Sequence, residues 1–246
     1  MPEAEGINQW IAYGPRRLRL SVDVLRFDRH AIQRCAGHAN DVVAPFLENA
    51  TEEALRLART LVTPTVVFDT RPATCDGGIL VVATPSPVKL SVGEIIGDQL
   101  AGAAAVAVFL VTIGAALEGK ARQLLQDDAL AGYLLDAAGS VAAEETADVL
   151  EAELQGQLKL FGWCITNRFS PGYCSWPTTD QRSLFSLLSA DDADVRLTDS
   201  CLMQPLKSIS GIIGLGPNVQ HNDYPCALCD MPGCHRRLTD TATPDA

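Results

Sequence analysis

The spacing of apolar residues changes period along the chain. Leu18 to Val24 alternates like a short strand, and the residues after it turn helical. Leu55 and Leu57 sit among Glu52, Glu53, Arg56 and Arg59, the mixture expected of an amphipathic helix. Val66–Phe68 and Ile79–Ala83 are β-branched runs punctuated by Pro, Asp and Gly, which predicts strands within residues 61–98. Gln99–Leu117 carries no charge, and its β-branched centre, Val106–Gly114, predicts a buried strand ending on a glycine turn. A long helical region follows. Gly139-Ser140 predicts a helix start with Ser140 as cap. Apolar positions 141, 149, 150, 154 and 158 then share part of one face, and Glu144, Glu145, Asp148, Glu151 and Glu153 supply the acidic remainder. The last third is richer in turns. It predicts a helix over Asp180–Ser189 and a strand over Ser208–Ile213 after a Pro-Leu-Lys turn. Thr239–Ala246 reads as a frayed terminus. No repeat and no Gly-, Ser- or Pro-rich linker divides the chain, so one α+β domain over residues 1–246 is expected.

Composition narrows the partners. Of 246 residues, 47% are hydrophobic and 20% charged, which describes a globular chain. The formal net charge of −11 repels phosphates, so neither nucleic acid nor an anionic membrane is an expected partner. The acidic start, Met1-Pro-Glu-Ala-Glu-Gly, lacks the basic and apolar regions of a signal peptide. The uncharged Gln99–Leu117 stretch approaches a membrane span in length, but Gly102, Gly114 and many alanines dilute it. A cytoplasmic protein with mostly reduced cysteines is therefore expected.

Four segments carry candidate chemistry. Arg168-Phe-Ser-Pro-Gly-Tyr-Cys-Ser-Trp-Pro177 makes a poor helix and a poor central strand, which predicts an ordered loop or edge segment. Arg168 there could grip a carboxylate or simply pair with a nearby acid, and Tyr173 offers an apolar face with a polar tip. In Leu197–Gly214, the small residues Ser208, Ser210, Gly211 and Gly214 allow close approach of a ligand or of another strand. Cys226, Cys229 and Cys234, spaced C-x2-C-x4-C and followed by His235, could converge on zinc or an iron–sulfur cluster, or remain free thiols. Cys164, Cys174 or Cys201 could supply a fourth cluster ligand. Glu144, with Glu145 and Asp148, could hold an ammonium group or form a solvated face. Cys35, His38 and Asp41 do not establish a Cys-His hydrolase, and no G-x-S-x-G, Walker A or H-E-x-x-H motif is present.

Taken together, Arg168-Phe-Ser-Pro-Gly-Tyr173, Trp176-Pro177, the following helix, Leu197-Thr-Asp-Ser200 and Ser208-Ile-Ser-Gly211 resemble the activation domain of cobalamin-dependent methionine synthase. That family carries R-x-x-P-G-Y, L-T-[DE]-S and S-[VI]-S-G in this order and at similar spacing. The likeness is best over residues 139–214, with a Cys-rich tail over 221–238. It implies an α+β fold with a twisted, mainly antiparallel sheet flanked by helices. It also implies an S-adenosylmethionine site formed by Arg168, Pro171, Gly172 and Tyr173, with Glu144 as the helix acid from the Ala143-Glu144-Glu-Thr-Ala-Asp148 pattern. Two positions depart from the family. Its ligand-associated tyrosine falls near His221, with Tyr224 three residues on, and the three-cysteine tail has no counterpart.

The resemblance implies a reactivation subunit for cobalamin held by a partner methyltransferase or corrinoid protein, served by an electron donor protein. The cobalamin- and substrate-binding modules lie outside this sequence, so methionine synthesis by this chain alone is not expected. Two rival expectations rest on the cysteines. One is an iron–sulfur redox activator of a corrinoid protein, and the other is a zinc-stabilised docking module.

Overall fold

The computed structural model describes residues 14–37, 45–188 and 193–222. Its architecture is α+β. The main sheet is built from β1 (Arg16–Arg19), β2 (Thr65–Asp76), β3 (Ile79–Val82), β4 (Val88–Leu90), β5 (Ala105–Thr112), β6 (Cys164–Phe169) and β9 (Ser208–Gly216). Its order is β4-β3-β2-β5-β9-β6, with β1 paired to β2, and every pairing is antiparallel. The short strands β7 (Arg196–Leu197) and β8 (Met203–Gln204) pair separately. The helices are α1 (Arg29–Cys35), α2 (Pro45–Leu61), α3 (Gly93–Leu100), α4 (Ala116–Asp127), α5 (Ala129–Lys159) and α6 (Gln181–Phe185).

The continuous apolar run of β5 follows from its place at the centre. Every residue of the strand is buried, because both faces of the sheet are covered. On one face, Phe68, Phe109, Ile165, Ile213 and Leu215 pack against Ala147, Leu150, Leu154 and Leu158 of α5. On the other, Val106, Val108, Phe169 and Ile212 pack against Ile96 and Leu100 of α3, Leu184 of α6 and the buried Trp176. The 31 residues of α5 span about 46 Å at helical rise. Its first half packs on α1, α2 and α4 through Leu134, Leu135, Ala138 and Val141, and its second half lies on the sheet. Among the described residues, no helix is long and apolar enough to cross a membrane.

Three sequence expectations need correction. Ser140 does not start a helix. It lies inside α5, whose cap is Asp128, with Oδ1 accepting from the Ala131 N–H at 3.0 Å. Gly139 is tolerated mid-helix because a Cβ there would come within 2.5 Å of the Leu117 side chain. The strand expected over Leu18–Val24 ends at Arg19, and Val22–Val24 form a 3-10 turn capped by Ser21. The helix expected over Asp180–Ser189 is shorter, a 3-10 turn at Thr178–Asp180 leading into α6, and residue 189 lies outside the described residues.

The small residues of β9 serve packing. A Cβ on Gly211 would run into the Phe169 carbonyl and lie 3.1 Å from the Phe109 ring. The Ser208 hydroxyl donates to Thr112 Oγ1 at 2.8 Å, and Ser210 accepts from the Gln181 amide. Gly211→Ala should therefore destabilise the fold by about 2 kcal/mol through overpacking against fixed backbone. Urea unfolding checks this, and a midpoint equal to wild type would show that the strand yields at this point.

Candidate functional site

The site forms at the β6 edge of the sheet. Ile165 pairs with Leu215 and Arg168 with Ile213, so β6 holds one extra residue between two pairs that β9 spaces by two. In a regular strand Ile165 and Arg168 would point to opposite faces. The bulge removes that alternation and turns Arg168 to the α5 side, while Phe169 enters the core on the other face. Thr166 Oγ1 supports the bulge by accepting the Gly214 N–H at 2.8 Å.

Helix α5 meets Arg168 with three acids. Glu144, Asp148 and Glu151 are spaced four and three residues apart, which places them on one helix face. Arg168 is buried at 5% exposure. Its Nη2 donates to Glu144 Oε2 at 2.7 Å, and its Nη1 donates to Asp148 Oδ1 at 2.7 Å and to Glu151 Oε2. Glu144 and Asp148 are half exposed, and Glu151 is largely buried. Glu145 does different work, accepting the Phe27 and Asp28 N–H groups at 2.9 and 3.2 Å and so tying the residues before α1 to α5.

Burial disfavours the charge on Arg168, but the Glu151, Asp148 and Glu144 carboxylates outweigh it and hold its pKa above the ordinary arginine range. Burial pushes the Glu151 carboxyl above the usual carboxylate range, Asp148 adds to the rise, and Arg168 offsets only part of it. Among the described residues, Glu151 Oε1 is buried without a hydrogen-bond partner.

After β6 the chain makes a tight turn. Gly172 N–H donates to the Trp176 carbonyl at 2.9 Å, Tyr173 N–H to the Ser170 carbonyl at 3.0 Å, and Trp176 N–H to the Tyr173 carbonyl at 2.9 Å. Gly172 has φ +99°, a conformation open to glycine and strained for other residues. Asp180 fixes the turn from below, its Oδ2 accepting Trp176 Nε1 at 3.1 Å and the Ser91 N–H at 2.8 Å. Pro171, Gly172 and Tyr173 are all partly exposed.

A third segment closes the edge. Asn167 is buried at 1%; its Nδ2 donates to the Asn222 carbonyl at 2.7 Å and its Oδ1 accepts the Asn222 N–H at 3.0 Å. Asn222 also donates to Gln99 Oε1 at 3.2 Å, and Val219 is buried. This anchoring brings His221 Nε2 to 3.9 Å from Glu151 Oε1.

The chain matches the sequence family described as the vitamin B12 dependent methionine synthase, activation domain, over residues 85–226, more than half its length. The chain belongs to this family. The matched span extends beyond the expected 139–214 at both ends. The activation-domain fold is also that of a crystal structure of the MetH reactivation domain bound to AdoHcy. The two agree with a TM-score of 0.66 at 18% identity, over 85% of this chain and 80% of the other. No curated protein matches the sequence.

Within this activation domain, the expected site residues Glu144, Arg168, Pro171, Gly172 and Tyr173 lie on neighbouring elements, with Arg168 and Glu144 in direct contact. Sequence reasoning missed the parts played by Glu151, Asn167 and Asp180. The 144–148–151 spacing was a usable signal for Glu151, whereas the Asn167 clamp and the Asp180 tie depend on contacts 55 and 89 residues apart. Cys226, Cys229, Cys234 and Tyr224 lie outside the described residues, as do His38 and Asp41. Of the cysteines named as further cluster ligands, Cys201 is buried beside Arg182 Nε at 3.3 Å, Cys164 is exposed and Cys174 lies in the turn. Among the described residues, no group of three His, Cys, Asp or Glu is placed to hold a metal ion.

The pKa of Glu151 in the fold lies above its unfolded value, so its contribution to stability is present at low pH and is lost as pH rises through the folded value. Removing the guanidinium widens this gap. Arg168→Met should cost about 3 kcal/mol at pH 8 and recover part of that by pH 5. Urea unfolding at the two pH values measures it, and a loss independent of pH would assign the cost to packing alone.

Proposed function

We propose that this activation domain binds S-adenosylmethionine and presents its methyl group to cobalamin held by a partner methyltransferase or corrinoid protein. The observation that carries this reading is the contact of Glu144 with buried Arg168, four residues ahead of the Gly172 turn in the chain. An α-amino acid end carries an anion and a cation a few ångströms apart. A guanidinium and a carboxylate held side by side offer the complementary pair, each through a charge-assisted hydrogen bond. The AdoHcy bound by the related MetH domain has the same amino acid end. The turn at Pro171-Gly172-Tyr173, which follows Arg168 directly in the chain, adds backbone groups and a partly exposed aromatic residue at the same end of β6.

The contribution of this chain is positioning. The methyl would leave the sulfonium of S-adenosylmethionine, releasing S-adenosylhomocysteine, and pass to cobalt on the partner that one electron from a donor protein has reduced from Co(II) to Co(I). Arg168 and Glu144 would hold the amino acid end, and the Tyr173 turn would set the direction in which the sulfonium points. Methyl transfer from a sulfonium calls for no general base. Three carboxylates around one guanidinium leave the site negative, which suits a ligand with a positively charged sulfonium.

The iron–sulfur alternative keeps one specific support. The C-x2-C-x4-C spacing begins at Cys226, four residues after Asn222, which is anchored next to the site. A brown protein absorbing near 400 nm after anaerobic purification favours it. Colourless protein with stoichiometric zinc favours the docking module.

Calorimetric titration of anaerobically purified protein tests the leading reading. Wild type should bind S-adenosylmethionine, and Arg168→Ala should weaken binding about 30-fold, the value of a charged hydrogen-bond pair. Glu144→Gln, at a half-exposed position where the fold is not at stake, should weaken it about fivefold. No binding by wild type, or equal binding by all three proteins, would remove the basis of the reading.

A further inference from the structure

We infer that His221 sets the preference of this site for a cationic ligand, acting through Glu151, and that Asn167 is the positioning residue that holds it there. This inference rests on the ligand reading above and adds a determinant of charge selectivity to it.

Glu151 spends one oxygen on Arg168 and leaves the other, Oε1, buried without a hydrogen-bond partner among the described residues. A buried, unpartnered carboxylate oxygen is costly. Among the described residues, the charged and titratable groups facing Glu151 are Arg168 from β6, Asp148 from its own helix and His221 from the segment after β9. Arg168 keeps its proton, and Asp148 is a half-exposed acid already bonded to Arg168. His221, half exposed with Nε2 3.9 Å from Oε1, is an imidazole that faces this oxygen and carries a positive charge when protonated.

Its position is built into the fold. Asn167 occupies the bulge that turns Arg168 toward α5, and the same side chain clamps both backbone polar groups of Asn222. One local feature of β6 thus places the guanidinium on one side of Glu151 and the imidazole on the other. With neutral His221, one positive and three negative groups leave the cluster at a formal −2; with protonated His221 it stands at −1. S-adenosylmethionine carries one more positive charge than S-adenosylhomocysteine, so it loses more when the imidazole gains a proton.

Calorimetry with both molecules between pH 8 and pH 6 tests this. In wild type, S-adenosylmethionine affinity should fall about fivefold as pH drops, the size of one unit-charge interaction across a half-exposed site. Affinity for S-adenosylhomocysteine should stay within about twofold. His221→Gln should flatten the S-adenosylmethionine profile, and Asn167→Ala should do the same while folded. Glu151→Gln should shift the His221 ring resonances in NMR spectra and leave those of His30 in place. A His221→Gln profile identical to wild type would assign the proton to Glu151 and overturn the inference. Equal pH profiles for the two molecules in wild type would also overturn it while leaving the ligand reading intact. If neither molecule binds at any pH, both fall. Because His221 is half exposed, its variant tests the inference even where Asn167→Ala fails to fold.

Discussion

A buried guanidinium must be answered by negative charge, and this requirement organises the β6 edge. Arg168 retains its proton under every ordinary condition, so burial cannot be relieved by neutralising it. The helix answers with Glu144, Asp148 and Glu151, which the helical period places on one face. The strand answers with a bulge, without which Arg168 would point into the opposite apolar layer that holds Trp176 and Ile212. Stability alone does not call for such a cluster, since replacing all its members together by packed apolar residues is often neutral, whereas removing the guanidinium alone leaves the acids unanswered. What the cluster adds is a place where opposite charges stand side by side, half open to solvent.

The rest of the edge is arranged around that cluster. Glu145 points away from it and ties down the residues before α1, so adjacent acids on α5 have separate tasks. The Gly172 turn is fixed at its base by Asp180 and the buried Trp176, which lets Pro171 and Tyr173 remain partly exposed on a rigid support. The Asn167 clamp brings the chain after β9 back across the site. The overall charge of −11 has the same sign as the cluster. It favours a cationic small molecule and would not steer the domain toward an acidic protein, so docking on a cobalamin-bearing partner calls for a local patch.

Much of this was legible in the sequence. The unbroken apolar run of β5 announced a central strand, and Arg168-Phe-Ser-Pro-Gly-Tyr173 announced an edge segment with a turn. The resemblance to the activation domain pointed to Arg168 and Glu144, which the fold brings to 2.7 Å. Other features were hidden for physical reasons. Gly139-Ser140 reads as a helix boundary by propensity, but packing against Leu117 requires the glycine inside a continuous helix. A bulge has no reliable local signature, so the direction of Arg168 could not be derived from strand alternation. The roles of Asn167 and Asp180 depend on partners far away in the chain. The serines and glycines of β9 were open to two readings, and their contacts with Thr112, Gln181, Phe109 and Phe169 resolve them as packing positions.

The most direct measurement is a crystal structure of this domain grown with S-adenosylhomocysteine. The predicted result is density at the β6 edge, with the amino acid end against Arg168 and Glu144 and the rest of the molecule along the Pro171–Tyr173 turn. Density at another edge of the sheet, or an Arg168 cluster unchanged and without ligand at saturating concentration, would contradict the central claim that this buried ion cluster is the ligand site.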